Sequence, residues 1–287
     1  MHLSLGRRFV GALDDMKNVR IHITIIVAAL AVVAAVMSFP ARSSPAQALR
    51  PKADAFAAAA ARNTTLRNEL NWTFGGKQQR GWYLYDSLIG KTLNTQHDTT
   101  TSDFAAAIAV WQKKTRLSAD GVLDENSLMR MISQWQSTRL KNRTPATPDQ
   151  LLTVPPADFY DPGRAAELRQ VERNTYAAYK EMIAAADKDL KLSPKYLKIV
   201  SAFRSREYQD QLRQRSPNSG SAGLAVNSPH FTGRALDIYV GGDPVDTKDS
   251  NRAIQVNTPA YRWLVRNAER FGFRPYFYEP WHWEYVR

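Results

Sequence analysis

The sequence contains no cysteine among its 287 residues. This absence excludes a disulfide framework, a thiolate zinc site, a cysteine nucleophile and a lipid-modified cysteine at an export site, and it leaves the redox compartment open. Histidine is also scarce, with five in the whole chain. Two of these histidines fall in short stretches that also carry acidic residues, so these stretches are the first candidates for chemistry.

Acidic residues are fewer than basic ones, 27 Asp+Glu against 39 Lys+Arg, which gives a formal net charge of +12. A chain with this balance is attracted to polyanions such as nucleic acid, anionic lipid or an acidic cell-wall polymer. The hydrophobic fraction of 44% is that of a globular protein, and the length exceeds one typical domain. Two folded units are therefore predicted. The net charge alone does not indicate which of these polyanions the protein binds.

Long apolar runs are absent except for one, Ile23 to Met37, which carries no charge and follows several basic residues. This pattern is typical of an export signal or a membrane anchor in residues 1–48. Ala46 and Ala48 form a small-x-small site, which predicts cleavage after Ala48. The alternative is an uncleaved anchor, since the run approaches the roughly 20 apolar residues that span a membrane. Both versions predict an exported protein of the periplasm or cell envelope, and they argue against a nucleic-acid partner.

The segment after this leader divides into an alanine-rich helix or spacer, 49–65, and a region of helical periodicity, 66–138. Ser102 is the predicted cap of one helix, "SADG" predicts the turn after it, and "GWYLYDSLIGKTL" predicts a further helix upstream. Apolar residues recur on one face of the two later helices: Phe104, Ile108, Trp111, Leu128, Met131 and Ile132. Residues 66–138 are therefore predicted to form a small all-α bundle with these side chains in its core.

This bundle resembles the peptidoglycan-binding-like module, whose signature is an aromatic-Gln pair at the end of a helix, a nearby Leu, and Asp-Gly before a second helix. The matching residues are Trp111, Gln112, Leu117, Asp120 and Gly121. The resemblance implies that the module binds the cell wall, although it does not identify the binding surface.

Residues 139–163 are rich in proline and predict a semi-rigid linker. A long helix is predicted from Arg164 to about Leu190, followed by a strand at "YLKIVSAF", a helix at "SREYQDQLRQR" and a strand at "ALDIYV". Thr258 as cap and Gly272 as stop delimit another helix, and "RPYFY" and "WHWEYV" are predicted to close the chain as strands. This order predicts an α+β domain over 164–287, with an antiparallel sheet and flanking helices.

Four residues of this second domain carry the pattern of a metal-dependent hydrolase. His230 precedes Asp237, which lies on a predicted strand, and the turn at "TG" between them is predicted to fold His230 back towards Asp237. Glu279 precedes His282 across a proline, and alternation along the strand "WHWEYV" predicts that His282 and Glu284 share one face. Two imidazoles and a carboxylate are the ligands of a catalytic zinc site with one open position, and a further carboxylate is needed to take a proton from water. Each residue alone also has an ordinary structural interpretation, as a core histidine, a turn-capping aspartate or a solvated glutamate. Their joint occurrence favours the metal site.

These stretches resemble the LAS metallopeptidases and their VanY-type D-alanyl-D-alanine carboxypeptidase branch. "SPHFTGRALD" matches S-x-H-x-x-G-x-A-x-D, "EPWH" matches E-x-W-H, and "SAFRS" matches the aromatic-Arg-Ser element upstream. The resemblance implies a LAS/hedgehog-type fold and a role for each matching residue. It assigns the zinc ligands to His230, Asp237 and His282, the general base to Glu279, the cation that steadies an oxyanion or a substrate carboxylate to Arg204, and substrate positioning to Ser228.

The resemblance therefore predicts a Zn2+-dependent D,D-carboxypeptidase that uses metal-activated water to remove the terminal D-alanine of peptidoglycan stem peptides. Two positions depart from many relatives: Glu284 stands where a basic residue is frequent, and Pro229 where an acidic one is. Both positions affect the predicted substrate pocket. The alternatives are an L,D- or D,D-endopeptidase of the same fold and a non-catalytic wall-binding protein. The sequence leaves the oligomeric state open and predicts membrane contact only through the N-terminal anchor.

Overall fold

The computed structural model describes residues 55–215 and 225–287, all of which belong to one compact unit, Ala46–Arg287. The predicted export segment lies outside the described residues. Within the described part, no helix has the length and apolar character needed to cross a membrane.

The first part of this unit is mainly helical: α1 (Ala57–Glu69), α2 (Asp86–Leu93), α3 (Ser102–Lys114) and α4 (Glu125–Ser137). Between α1 and α2 the chain forms an antiparallel hairpin of β1 (Asn71–Phe74) and β2 (Lys77–Arg80). The prediction of an all-α module missed this hairpin. Its two-residue turn is Gly75-Gly76, with both φ angles positive, which is the dipeptide type that joins twisted strands most readily.

The aromatic-Gln and Asp-Gly signature has a structural role in this part of the chain. The buried Gln112 side chain donates to the carbonyl of Val122 at 2.9 Å and to the hydroxyl of Ser127 at 3.0 Å, and it accepts from the backbone of Gly121 at 2.9 Å. Helix α3 is capped by Thr101, one residue before the predicted cap, because the Thr101 hydroxyl accepts from the third residue of the helix. The assignment to a peptidoglycan-binding module stays a prediction.

Residues 139–163, predicted as a linker, include the strand β3 (Leu151–Thr153), which pairs antiparallel with β4 (Gln170–Glu172). Val154 and Phe159 of the same segment are buried in the core. The long helix α5 runs over Arg173–Asp189, so the prediction that it begins at Arg164 was wrong. The helix begins later because β4 uses the preceding residues and the carboxylate of Glu172 caps the first turn.

The main sheet has four antiparallel strands in the order β5-β6-β8-β7. They are β5 (Ile199–Ser201), β6 (Ala235–Ile238), β7 (Phe273–Pro275) and β8 (His282–Tyr285), and the remaining helices are α6 (Arg206–Arg215), α7 (Asp249–Val256) and α8 (Pro259–Asn267). Thr258 caps α8 as predicted, and Gly272, with φ 89°, ends the 3-10 turn that follows. The predicted mixture of helices with an antiparallel sheet is confirmed.

The helical part and the sheet share one hydrophobic core. Phe277, in the turn before β8, packs against Phe74, Tyr85 and Trp135, with ring centroids 4.7, 5.4 and 6.0 Å apart. This packing holds the end of α4 next to the sheet, so the residues that follow α4 can reach the strand that carries His282.

Candidate metal and catalytic site

Sheet pairing brings the distant site residues together. Asp237 on β6 pairs with Ser201 on β5 and with His282 on β8. The pairing of β5 with β6 shifts register between Ile199 and Ser201, so a bulge adjoins the site, where such irregularities commonly redirect side chains. Residues 45 positions apart in sequence are thus direct cross-strand neighbours.

His230 lies on a 3-10 turn, Pro229–Thr232, capped by Ser228, whose hydroxyl accepts from the His230 backbone at 3.3 Å. Gly233 ends the turn with φ 65°, which returns the chain towards β6, as the sequence predicted. The Nδ1 atom of His230 lies 2.6 Å from the carbonyl oxygen of Ala202 and must donate its hydrogen there. The Nε2 atom is then the free nitrogen, and it lies 3.3 Å from the Oδ1 atom of Asp237.

His282 presents the other nitrogen to the same carboxylate. Its Nδ1 atom lies 3.0 Å from Oδ1 of Asp237, while its Nε2 atom lies 3.2 Å from Oε1 of Glu284. Burial opposes a charged ring, but the hydrogen bonds to these two carboxylates raise the pKa of His282 to about 9. Burial lowers the pKa of His230 to about 4. The two imidazoles therefore differ in charge at neutral pH when no metal is bound.

His230, Asp237 and His282 each offer a ligand atom, and these atoms all lie within 4.8 Å of one another. Two imidazole nitrogens and one carboxylate oxygen form the donor set of a metal site that keeps an open coordination position. The ring nitrogen turned away from the cluster is hydrogen-bonded in each histidine, as is usual for metal-binding imidazoles. The three residues therefore fit a divalent metal such as zinc.

Glu279 is 7% exposed, and its Oε2 atom lies 3.9 Å from Nδ1 of His282. A tight turn over Tyr276–His282 places it there, because the backbone N–H groups of Glu279 and His282 donate to the carbonyls three residues before them. Burial raises the pKa of Glu279 to about 8, with the charge of Asp237 adding to the shift and the charge of His282 opposing it. A carboxyl group with a pKa near neutrality is suited to exchanging protons with water.

Arg204 is buried and directed at the metal-ligand candidate Asp237. Its Nη2 atom donates to Oδ2 of Asp237 at 2.6 Å, and its Nε atom donates to the hydroxyl of Ser201 at 3.0 Å. The structure thus places Arg204 at the predicted site, where its closest charged partner is the aspartate. Ser228 also lines the site, and its hydroxyl caps the turn that carries His230.

These residues line a cavity of about 480 Å³. Its wall also contains three arginines that the sequence did not mark as site candidates: Arg139, Arg143 and Arg164. The first two lie in the proline-rich segment and the third marked only the predicted start of a helix, so only their basic type could have drawn attention to them.

The sequence likewise did not predict the long-range contacts of Glu284, which it marked as a departure from many relatives. It is 0% exposed and accepts from Arg139, from the backbone of Leu140 at 2.9 Å and from His282. Burial alone would raise its pKa, but the hydrogen bond with His282 and the charge of Arg139 lower the pKa of Glu284 to about 2. Glu284 is therefore a buried anion behind His282.

The protein therefore combines helices and an antiparallel sheet with a candidate hydrolytic centre for a single metal ion. This centre consists of two histidines, one aspartate and an adjacent buried glutamate. Residues 168–287 match the VanY family, described as D-alanyl-D-alanine carboxypeptidase. This part of the chain is a VanY-type peptidase domain of the LAS superfamily. The match covers His230, Asp237, Glu279 and His282, and it excludes residues 55–167.

The chain has no significant match among curated protein sequences. Among solved structures it is similar to the LdcB LD-carboxypeptidase, a structure described as revealing the molecular basis of peptidoglycan recognition. The sequences are 26% identical, and the match covers 49% of this chain and 70% of that chain with a TM-score of 0.37.

Proposed function

We propose that this protein is a zinc-dependent D,D-carboxypeptidase that removes the terminal D-alanine from peptidoglycan stem peptides. The observation that carries the proposal is the convergence of His230, Asp237 and His282 beside the buried carboxyl of Glu279 in one cavity. The VanY-type domain supports the same reaction class.

In the proposed mechanism, Nε2 of His230, Nδ1 of His282 and a carboxylate oxygen of Asp237 would hold the metal. A zinc ion bound by these residues would lower the pKa of water and polarise a carbonyl oxygen. Glu279 accepts a proton from the attacking water at its carboxylate and later delivers it to the amine of the leaving D-alanine. Arg204 keeps the Asp237 carboxylate oriented and contributes positive charge where the tetrahedral oxyanion forms.

The charge of the cavity favours an exopeptidase over an endopeptidase. Arg139 is paired with Glu284 and Arg204 with Asp237, whereas Arg143 and Arg164 form no ion pair within the described residues. Their hydrogen bonds go to backbone carbonyls, from Arg143 to Asn227 and from Arg164 to Leu168. A carboxypeptidase must bind the terminal carboxylate of its substrate, and an unpaired guanidinium is the best-suited side chain for this. We assign this contact to Arg143, which lines the same cavity as Glu279 and His282.

The protein is proposed to act outside the cytoplasm, delivered there by the N-terminal apolar segment, with peptidoglycan as its partner. The positively charged chain and the helical part before the peptidase domain are proposed to hold the enzyme on the acidic polymer and so to raise its local concentration.

The test is digestion of purified muropeptides by the full chain, followed by mass spectrometry. Stem pentapeptide should lose one alanine, a chelator should abolish the loss, and added Zn2+ should restore it. Stem tetrapeptide and cross-linked muropeptides are the controls. Three results would contradict the proposal. Removal of the last residue from the tetrapeptide alone would indicate L,D specificity, and cleavage restricted to internal bonds would indicate an endopeptidase. Binding without cleavage would indicate a wall-binding protein.

A further inference from the structure

We propose that Arg139 is a positioning residue of the metal centre: acting through Glu284, it fixes which nitrogen of His282 carries the proton and holds the ring in place. This inference rests on the proposed metal site. It adds to that site a residue that precedes the stretch matched to the VanY family, residues 168–287.

The first step concerns the burial of Glu284. Its side chain is 0% exposed on β8, between the neighbouring strands β6 and β7. A buried carboxylate is strongly destabilising unless donors surround it. The donors are Nε of Arg139 at 3.1 Å together with Nη2 of the same guanidinium, the backbone N–H of Leu140 at 2.9 Å, and Nε2 of His282 at 3.2 Å. Residues 139 and 140 therefore supply most of the hydrogen bonds to the buried Glu284 carboxylate.

The second step concerns the chemistry of His282. An imidazole binds a metal through a nitrogen that has lost its hydrogen, so the other nitrogen must keep one. The Glu284 carboxylate accepts from Arg139 and Leu140, so the hydrogen shared with His282 lies on Nε2, and Nδ1 is free to face Asp237 and Glu279. If Glu284 were displaced, the competing arrangement would place the hydrogen on Nδ1, where it would donate to Asp237. A carboxylate behind a histidine also makes that histidine a stronger ligand.

The third step concerns how Arg139 is itself held. Its Nη1 atom donates to the side chain of Gln136 at 3.1 Å, in the last turn of α4. Its guanidinium carbon lies 4.0 Å from the centroid of the Tyr276 ring, at the start of the turn that carries Glu279. The guanidinium is thus stacked and hydrogen-bonded in a single orientation with its fork on Glu284. The helical part of the chain is coupled in this way to the metal centre.

The experiment measures Zn2+ affinity of the full chain by competition with a chromogenic chelator. Arg139→Gln and Glu284→Gln should each weaken Zn2+ binding 10- to 100-fold, which is the usual effect of losing a partner behind a metal ligand. Because Arg139 acts through Glu284, the double variant should bind Zn2+ no more weakly than Glu284→Gln alone. Arg139→Lys keeps the positive charge but lacks the several N–H donors of the guanidinium, so it should bind Zn2+ more tightly than Arg139→Gln and less tightly than the wild type.

Arg67→Gln is the matched control, because Arg67 pairs with Asp86 at 2.6 Å in the helical part, away from the cavity. It should leave Zn2+ affinity unchanged. If Arg139→Gln lowers the melting temperature while its Zn2+ affinity stays within twofold of the wild type, Arg139 is only a structural tether and the inference is wrong. Should Arg139→Gln not fold, Arg139→Lys decides alone, since wild-type affinity in that variant would also overturn the inference. Failure of the wild type to bind Zn2+ would instead contradict the proposed function itself.

Discussion

The substitution Glu279→Gln separates catalysis from metal binding most cleanly. Glutamine has nearly the shape of glutamate, so the turn over Tyr276–His282 and the three candidate ligands should stay in place. The variant loses the group that exchanges a proton with water. Loss of a general base costs about 10²- to 10⁴-fold in rate, which corresponds to about 3–5 kcal/mol of activation free energy.

The thermal stability of the Glu279→Gln variant should rise or stay the same, although its activity falls. Burial raises the pKa of Glu279 to about 8, which means that the folded protein disfavours the charged carboxylate at this position. A neutral amide removes that cost, so the variant should melt at or above the wild-type temperature. The combination of lost activity with retained stability identifies a catalytic group rather than a structural one.

The assay is kcat/KM on a stem pentapeptide at matched zinc content, accompanied by thermal unfolding of the same preparations. Zinc content should equal that of the wild type, and the melting temperature should equal or exceed it, while kcat falls. Two results would refute the reasoning: hydrolysis at the wild-type rate, or loss of activity that occurs only together with loss of bound zinc.

Two further substitutions probe the cavity and the turn that carries His230. Arg143→Gln should lower kcat/KM for a pentapeptide about 10- to 100-fold, because a hydrogen bond to a charged group contributes about 1.5–3 kcal/mol. On a pentapeptide with an amidated C-terminus, the variant and the wild type should have the same kcat/KM. An equal loss for both substrates would contradict the assignment. Gly233→Ala should lower the free energy of unfolding by about 1–3 kcal/mol. Gly233 has φ 65°, and an added Cβ would lie 3.0 Å from the backbone nitrogen of Glu172 and 2.8 Å from the Leu151 side chain. Chemical denaturation measures this loss, and an unchanged midpoint would show that the turn tolerates a side chain.

Local sequence patterns were enough to predict much of the candidate site. Strand alternation predicted that His282 and Glu284 share a face of β8, and the structure places Nε2 of His282 3.2 Å from Glu284. The Thr-Gly turn after His230 was predicted to bring that residue back towards Asp237, and the two side chains lie 3.3 Å apart. These features depend on residues close together in sequence or on the two-residue repeat of a strand, so they can be read from the chain.

The features that the sequence did not predict depend on long-range contacts. Arg139 and Glu284 are separated by 145 positions, and no periodicity relates them. The segment 139–163 has the composition of a linker, yet β3 is stabilised by pairing with β4, a partner that composition does not reveal. The helix α5 likewise begins at Arg173 because tertiary pairing takes up the residues that helical periodicity alone would assign to it.

The contacts of Glu284 with residues 139 and 140 bear on where the functional peptidase domain begins. A fragment over residues 164–287 would keep all six residues to which the family resemblance assigns roles, but it would lose Arg139, Leu140 and the strand β3. Glu284 would then be a buried carboxylate without its cation, and breaking a buried pair in this way costs about 3–5 kcal/mol.

Comparison of fragment 164–287 with fragment 139–287 isolates this effect, because both lack the helical part and expose Phe277 equally. The longer fragment should unfold at higher temperature and bind Zn2+ more tightly, which thermal unfolding and chelator competition would measure. Equal stability and affinity of the two fragments would show that residues 139–163 are only a linker, as their proline content suggests. The expected difference instead makes this segment part of the metal centre, since its first two residues supply the charge and the N–H group that Glu284 needs behind His282.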